Sequence, residues 1–258
     1  MRPLRPLRMH QTQLPPRPTA RPVLARTLEP ELMNSPAEAW NYNGMDHSAV
    51  NAAFVEDLLA AEMLTAGPVD PQADDSVVLD VGSGTALIPI ELCRQFPMCR
   101  IVACDAASSM LELAKINVAI GQCEGRIELH HGDGKELQFS DDLFDGVMSN
   151  SWFHHLPDPA IGLAQMWRVC KPSGWLFSRD LLRPESASEV ERFVQLYADH
   201  ETPDNQQLFR QSLHAALTLD EVRNLAAPLG IPAEAIQATS DRHWTLAARK
   251  AVAQDDTK

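Results

Sequence analysis

The chain lacks any uninterrupted apolar run of 18 or more residues, so no membrane-spanning helix is expected. It has five cysteines, an odd number, and none forms a CxxC pair. That pattern argues against a disulfide framework or a zinc site and for a reduced, cytoplasmic protein, with no metal expected. Its Arg- and Pro-rich beginning has no apolar h-region, so no secretory leader is expected. Prolines at 3, 6, 15, 16, 18 and 22 also oppose the amphipathic helix of an organellar transit peptide. Acids are missing from residues 1–28, which hold six arginines. The net charge of −13 therefore leaves about −19 for the rest, a body that would repel a phosphate backbone and disfavours nucleic acid as substrate. Residues 1–34 read as a disordered basic tail.

What is present is an alternation. Short β-branched runs at 77–81, 101–104, 126–130, 144–148 and 174–180 are interleaved with helical patterns at 86–95, 108–120 and 159–169. Strand then helix at this pace implies a parallel sheet covered on both faces. EAIQATS and HWTLAAR add two strands, giving an α/β, doubly wound, seven-stranded sheet. Upstream, SAVNAAFVEDLLAAEML (48–64) has helical periodicity with Ser48 as a cap, stopped by Gly67-Pro68. Thr218 and Glu221 mark a capping box for a helix over 218–230. Helices are also expected over 186–200 and 205–215. The main domain is thus 35–258: a lid at 35–70, a core at 75–180 and 218–250, and a helical insertion at 181–217 after the fifth strand.

The stretch VVLDVGSGTALIPIELCRQFP (77–97) runs from strand through two glycines into helix. Gly82 and Gly84 allow a tight turn and close approach of a ligand, and the helix after them points free N–H groups at the same spot. Pro89 is compatible only with the first turn of that helix. The third glycine of a dinucleotide fingerprint would fall at Leu87, and Asp80 would repel a pyrophosphate. A nicotinamide-dependent oxidoreductase is the weaker reading for both reasons. S-adenosylmethionine carries a carboxylate for the helix end and an ammonium for Asp80. Asp105, 25 residues on, suits ribose hydroxyls, and Asp133, between Gly132 and Gly134, suits an adenine amino group or simply a turn.

In their order and spacing, VLDVGSGTA (78–86), VACDAASSMLELAK (102–115), HGDGKELQF (131–139), FDGVMSNSWFHHLPDP (144–159) and RVCKPSGWLFSRD (168–180) resemble the class I S-adenosylmethionine-dependent methyltransferases. The resemblance implies a Rossmann-like sheet whose last strand runs antiparallel. It implies cofactor contacts at Asp80, Gly82, Ser83, Gly84, Asp105, Ala106, Gly132, Asp133 and Asn150. The third glycine common in the first motif is Ala86 here. An Asn-Pro-Pro-Tyr signature of amino-group nucleic acid methylation is replaced by Ser149-Asn150-Ser151-Trp152, which favours a small or medium-sized acceptor.

Similar methyltransferases fold an N-terminal segment over the cofactor. In SPAEAWNYNGMDHSAV (35–50), Tyr42 and Met45 are best placed for that, against the alternative of a surface turn at Asn43-Gly44. Adjacent His154 and His155 diverge as neighbours do, so one is expected to pack and the other to line the pocket. With His47 they are the candidate bases, although positioning of the acceptor is expected to dominate. In a second lid segment, 205–217, Phe209 and Leu213 read as core while Arg210 and His214 could face substrate. A non-catalytic S-adenosylmethionine-binding module remains open, since binding and catalysis share these residues.

Overall fold

The computed structural model describes residues 24–29, 35–44, 48–61, 76–96 and 99–252. Its centre is a seven-stranded sheet of β1 Val77–Val81, β2 Arg100–Asp105, β3 Ile127–His131, β4 Phe144–Asn150, β5 Cys170–Leu181, β6 Ile236–Ala238 and β7 His243–Arg249. The order is β3-β2-β1-β4-β5-β7-β6. The first five strands pair in parallel, and β7 runs antiparallel to both β5 and β6. The strand order reverses between β1 and β4, and open sheets bind ligands beyond the carboxyl ends of the strands at such a point.

Both sheet faces are sealed, as the near-continuous apolar strands demand. One face packs beneath α2 Ser48–Ala60, α3 Leu87–Gln95 and α4 Ser108–Ile120, through residues such as Phe54, Leu92, Val118 and Phe177. The other lies under α5 Pro159–Val169 and α8 Leu219–Ala226, through Leu79, Leu163, Met166 and Trp244. Ser48, expected as a cap, is instead the first residue of α2, whereas the capping box expected for α8 is present. Asp158 accepts from Ala160 N ahead of Pro159, and Thr218 and Glu221 form the reciprocal capping box. Pro89 sits in the first turn of α3, where it cannot bond the Thr85 carbonyl; Asn117 Nδ2 donates to that carbonyl instead, at 2.9 Å.

The insertion is a pair of helices, α6 Ala187–Ala198 and α7 Pro203–Ala215. Leu213 is core and Phe209 packs beside it, as their spacing suggests. Arg210 does not turn to a pocket; it lies on the surface in a bidentate pair with Glu191, at 2.6 and 2.9 Å. Glu191 sits on the neighbouring helix α6, within reach of that stripe, and takes the guanidinium there. An additional helix, α1 Pro36–Asn43, covers the lid region around Tyr42, where the sequence offered a surface turn as the alternative. It is tied to α4 by Asn117 Nδ2 donating to Asn43 Oδ1 at 2.8 Å, and to α7 by Asn41 Nδ2 donating to Asn205 Oδ1 at 2.7 Å. The segment Leu24–Glu29, assigned by sequence to a disordered tail, packs on the insertion: Leu24 joins its core and Thr27 N donates to His214 O at 3.0 Å. A lone leucine and arginine find preformed partners there, which composition does not register. No helix of the described residues is long and apolar enough to cross a membrane.

Candidate functional site

The turn after β1 carries the strain a ligand-binding turn needs. Gly82 and Gly84 have φ of 71° and 54°, and Ala86, the N-cap of α3, is also left-handed at 61°. A Cβ on Gly84 would meet only the Tyr42 ring, at 3.9 Å, so the backbone is open toward the lid. Gly82 is closed on its other side: a Cβ there would lie 2.4 Å from the Trp152 indole. The same indole fills the space at Gly134 and Gly162, so one aromatic plate after β4 braces three glycine positions.

Two carboxylates face this turn. Asp105 is partly buried and occupied by backbone: Gly84 N donates to Oδ2 at 2.7 Å and Ala107 N to Oδ1 at 2.8 Å. It shapes the turn and holds the backbone of Ala107, the residue that precedes α4. Asp80 is 3% exposed and has no hydrogen-bond or ion-pair partner among the described residues. Burial, then the charge of Asp105, pushes its carboxyl well above the ordinary range. Ser83 Oγ and Thr85 Oγ1 are likewise buried and unpartnered among the described residues. A buried unmet carboxylate beside two unmet hydroxyls and a helix N-terminus is costly unless a ligand completes it. A zwitterion whose ammonium meets Asp80 fits; a pyrophosphate does not.

Other expected contacts are arranged around this centre. Tyr42 reaches over the turn from α1, its hydroxyl pushed up to about 12 by burial and then by Asp105 and Asp80. Gly132 N donates to Asp105 O at 3.0 Å, and Ala106 O lies 3.1 Å from His131 Nε2. Asp133 is exposed and serves its own turn, accepting from Lys135 N at 2.8 Å and pairing with Lys135 Nζ at 3.1 Å. Asn150 ends β4, partly buried, donating weakly to Ser151 Oγ at 3.3 Å. Met45 and His47 lie outside the described residues.

The two histidines of the 3-10 turn Phe153–His155 have different surroundings. His154 is buried, and its Nδ1 donates to Asp180 Oδ1 at 2.6 Å. Asp180 also accepts from the backbone N–H of Phe153 and Leu181, both at 2.6 Å. Burial opposes charge on His154, yet Asp180 and Glu29 together hold its pKa above the ordinary value. His155 is 18% exposed and within charge range of Asp105 when it is protonated. Burial, then His154, holds it below the ordinary range. Glu29 lies beside both rings, its Oε1 2.8 Å from His155 Nδ1 and 3.3 Å from His154 Nε2. Its ligand atoms and those of both histidines fall within 4.8 Å of one another. Sequence spacing supplied no carboxylate for this histidine pair; the fold does. Glu29, Arg26 and Asp180 were all missed as site residues. Asp180 alone left a trace, as the acid ending the fifth strand; Glu29 and Arg26 sit in a segment without periodicity.

Residues 79–178 match the family described as a methyltransferase domain. A demethylmenaquinone methyltransferase of Deinococcus radiodurans is 36% identical over 126 residues, 49% of this chain and 51% of that protein. The biotin biosynthesis bifunctional protein BioHC of Teredinibacter turnerae is 33% identical over 142 residues, 53% of this chain and 24% of that protein. The chain thus spans about half or less of the length of these relatives. In fold, a SAM-dependent methyltransferase from Aquifex aeolicus superposes with a TM-score of 0.60 at 18% identity, covering 83% of this chain and 98% of that one. Residues 79–178 thus match a methyltransferase domain, and the strand order around them is that of the class I methyltransferase fold.

Proposed function

We propose that this chain transfers a methyl group from S-adenosylmethionine to a small or medium-sized acceptor by in-line displacement. The observation that carries the reading is Asp80: a buried carboxylate without a partner among the described residues, at the mouth of a glycine turn. Asp80 would receive the ammonium, the N-terminus of α3 with Ser83 and Thr85 the carboxylate, Asp105 and Asp133 the ribose and adenine, and Tyr42 would cover them. When bound, the cofactor supplies an electrophilic methyl on a sulfonium. The protein's part would be to hold the acceptor in line and to exclude water, a role we assign to the lid helix α1 and the insertion. The five cysteines are all free and buried, which suits a reducing cytoplasm.

The relatives' names point to different acceptors, one a demethylmenaquinone and one within biotin biosynthesis, so the acceptor must be argued from this chain's own residues. Titration calorimetry with S-adenosylmethionine and with NAD tests the cofactor. Heat with the first and none with the second is expected; the reverse removes the proposal. Release of S-adenosylhomocysteine across a metabolite panel then tests for turnover.

A further inference from the structure

The segment Leu24–Glu29 delivers a carboxylate, 6% exposed, against the nitrogen edges of two histidine rings whose centroids lie 4.1 Å apart. Arg26 anchors the delivery: its Nε donates to Ala215 O at 2.6 Å and its Nη2 to Leu156 O at 2.9 Å and His154 O at 3.2 Å. Ser212 Oγ of α7 donates to Glu29 Oε2 at 3.1 Å. His154 is used up, with Nδ1 on Asp180 and Nε2 at Glu29. His155 is not. Its Nδ1 lies 2.8 Å from Glu29 Oε1 but oblique to the N–H direction, so proximity to the carboxylate rather than a closed hydrogen bond favours a proton there, and no hydrogen bond or ion pair engages Nε2 among the described residues.

We propose that Glu29 holds His155 as the Nδ1–H tautomer, leaving Nε2 as the base that takes a proton from the methyl acceptor. This rests on the methyltransferase reading and narrows the acceptor class. A base is useful only where the nucleophilic atom carries a proton: a phenolic or enolic hydroxyl, or an acidic carbon, rather than a thioether. The proton would leave that atom for Nε2, its bonding pair staying behind to form the new bond to the methyl carbon as the carbon–sulfur bond breaks and its pair stays on the sulfur of the departing thioether; the imidazolium would sit beside the Glu29 carboxylate. Glu29 is a positioning residue in this scheme and never becomes protonated, as with the acid behind a catalytic histidine elsewhere.

The charged surroundings agree. His155 faces His154 from its own turn, Glu29 from the N-terminal segment, Asp180 from β5 and Asp105 from β2, and Arg26 faces His154 beside it. Asp180 and Glu29 favour a proton on His154, and His154 with burial disfavours one on His155, so the base form is the resting form. The same donors could take a divalent cation, but the Arg26 guanidinium already supplies positive charge at this spot.

The test is a titration of the full chain labelled with nitrogen-15 histidine, with His155 assigned by comparison with His155→Gln. The wild type should show the Nδ1–H tautomer with a midpoint below that of free histidine. Glu29→Gln keeps an acceptor but removes the charge, so the tautomer should persist while proton affinity falls about three- to tenfold. Glu29→Ala should switch His155 to Nε2–H. A wild-type Nε2–H tautomer, or a midpoint indifferent to Glu29→Gln, would overturn the assignment. So would stoichiometric Zn²⁺ binding that Glu29→Ala abolishes. Calorimetry with S-adenosylmethionine on the same samples keeps the two readings apart. Loss of cofactor heat in the wild type removes the methyltransferase proposal, whereas an unchanged His155 titration with cofactor heat intact removes only this one.

Discussion

Asp80 and Asp105 lie near the ends of adjacent strands within range of each other's charge, yet only Asp105 is satisfied, by the N–H groups of Gly84 and Ala107. The protein stores an electrostatic cost at Asp80 that a cationic ligand group would relieve.

Asp80→Asn should therefore stabilise the ligand-free protein while destroying cofactor binding. The folded-state pKa of Asp80 is raised, so the stability tied to its protonation is present at low pH and is lost as pH rises from the ordinary carboxylate range through the raised value. At neutral pH the variant should be more stable by about 1–3 kcal/mol, the cost of an unmet buried polar group. Denaturant melts of both proteins between pH 4 and 8, without ligand, should diverge as pH rises.

Gly82→Ala combines a left-handed backbone with a Cβ 2.4 Å from the Trp152 ring. The cost should be about 1 kcal/mol for the conformation and a further 1–3 kcal/mol for overpacking. In a Gly82→Ala, Trp152→Leu double variant the steric part should vanish and the conformational part stay, making the two changes non-additive. Urea midpoints of the four proteins measure this directly.

Ala86 occupies the position where the family often has its third glycine, and it pays the left-handed cost without the glycine. Ala86→Gly relieves strain of about 1–2 kcal/mol but removes a buried methyl worth about 0.8 kcal/mol and frees the unfolded chain. The terms oppose, so thermal denaturation should move little, unlike an alanine-to-glycine change inside α4, which costs about 1 kcal/mol.

His154 and Asp180 form a buried pair, and removing one partner leaves a buried charge. His154→Ala should cost about 3–5 kcal/mol. The His154 pKa is raised, so its contribution is full below the ordinary histidine value and fades as pH rises through the folded one. Asp180 is lowered, so its contribution is full above the ordinary carboxylate value and fades as pH falls. The gap in stability between wild type and variant should peak between those two limits.

Elements written in local pattern were legible. α4 and α5 match their expected ranges, and β1 and β7 fall on the expected runs VVLDV and HWTLAAR. The glycine turn, with Asp80 in the strand before it, was readable because its residues are neighbours in sequence. Glu29 was not, because its partners are His155, 126 positions away, and Ser212, 183 positions away, contacts no local pattern encodes. Asp105 was legible as an acid at a strand end, but its service to Gly84 N–H depends on how β1 and β2 align.

The central claim is that a cation-bearing nucleoside settles against Asp80. Calorimetry of S-adenosylmethionine into the wild type and Asp80→Asn tests it most directly. The account predicts binding to the wild type and at least a tenfold loss, about 1.4 kcal/mol, in a variant that melts no earlier than its parent. Equal affinity for the two proteins, or no heat with either, contradicts it.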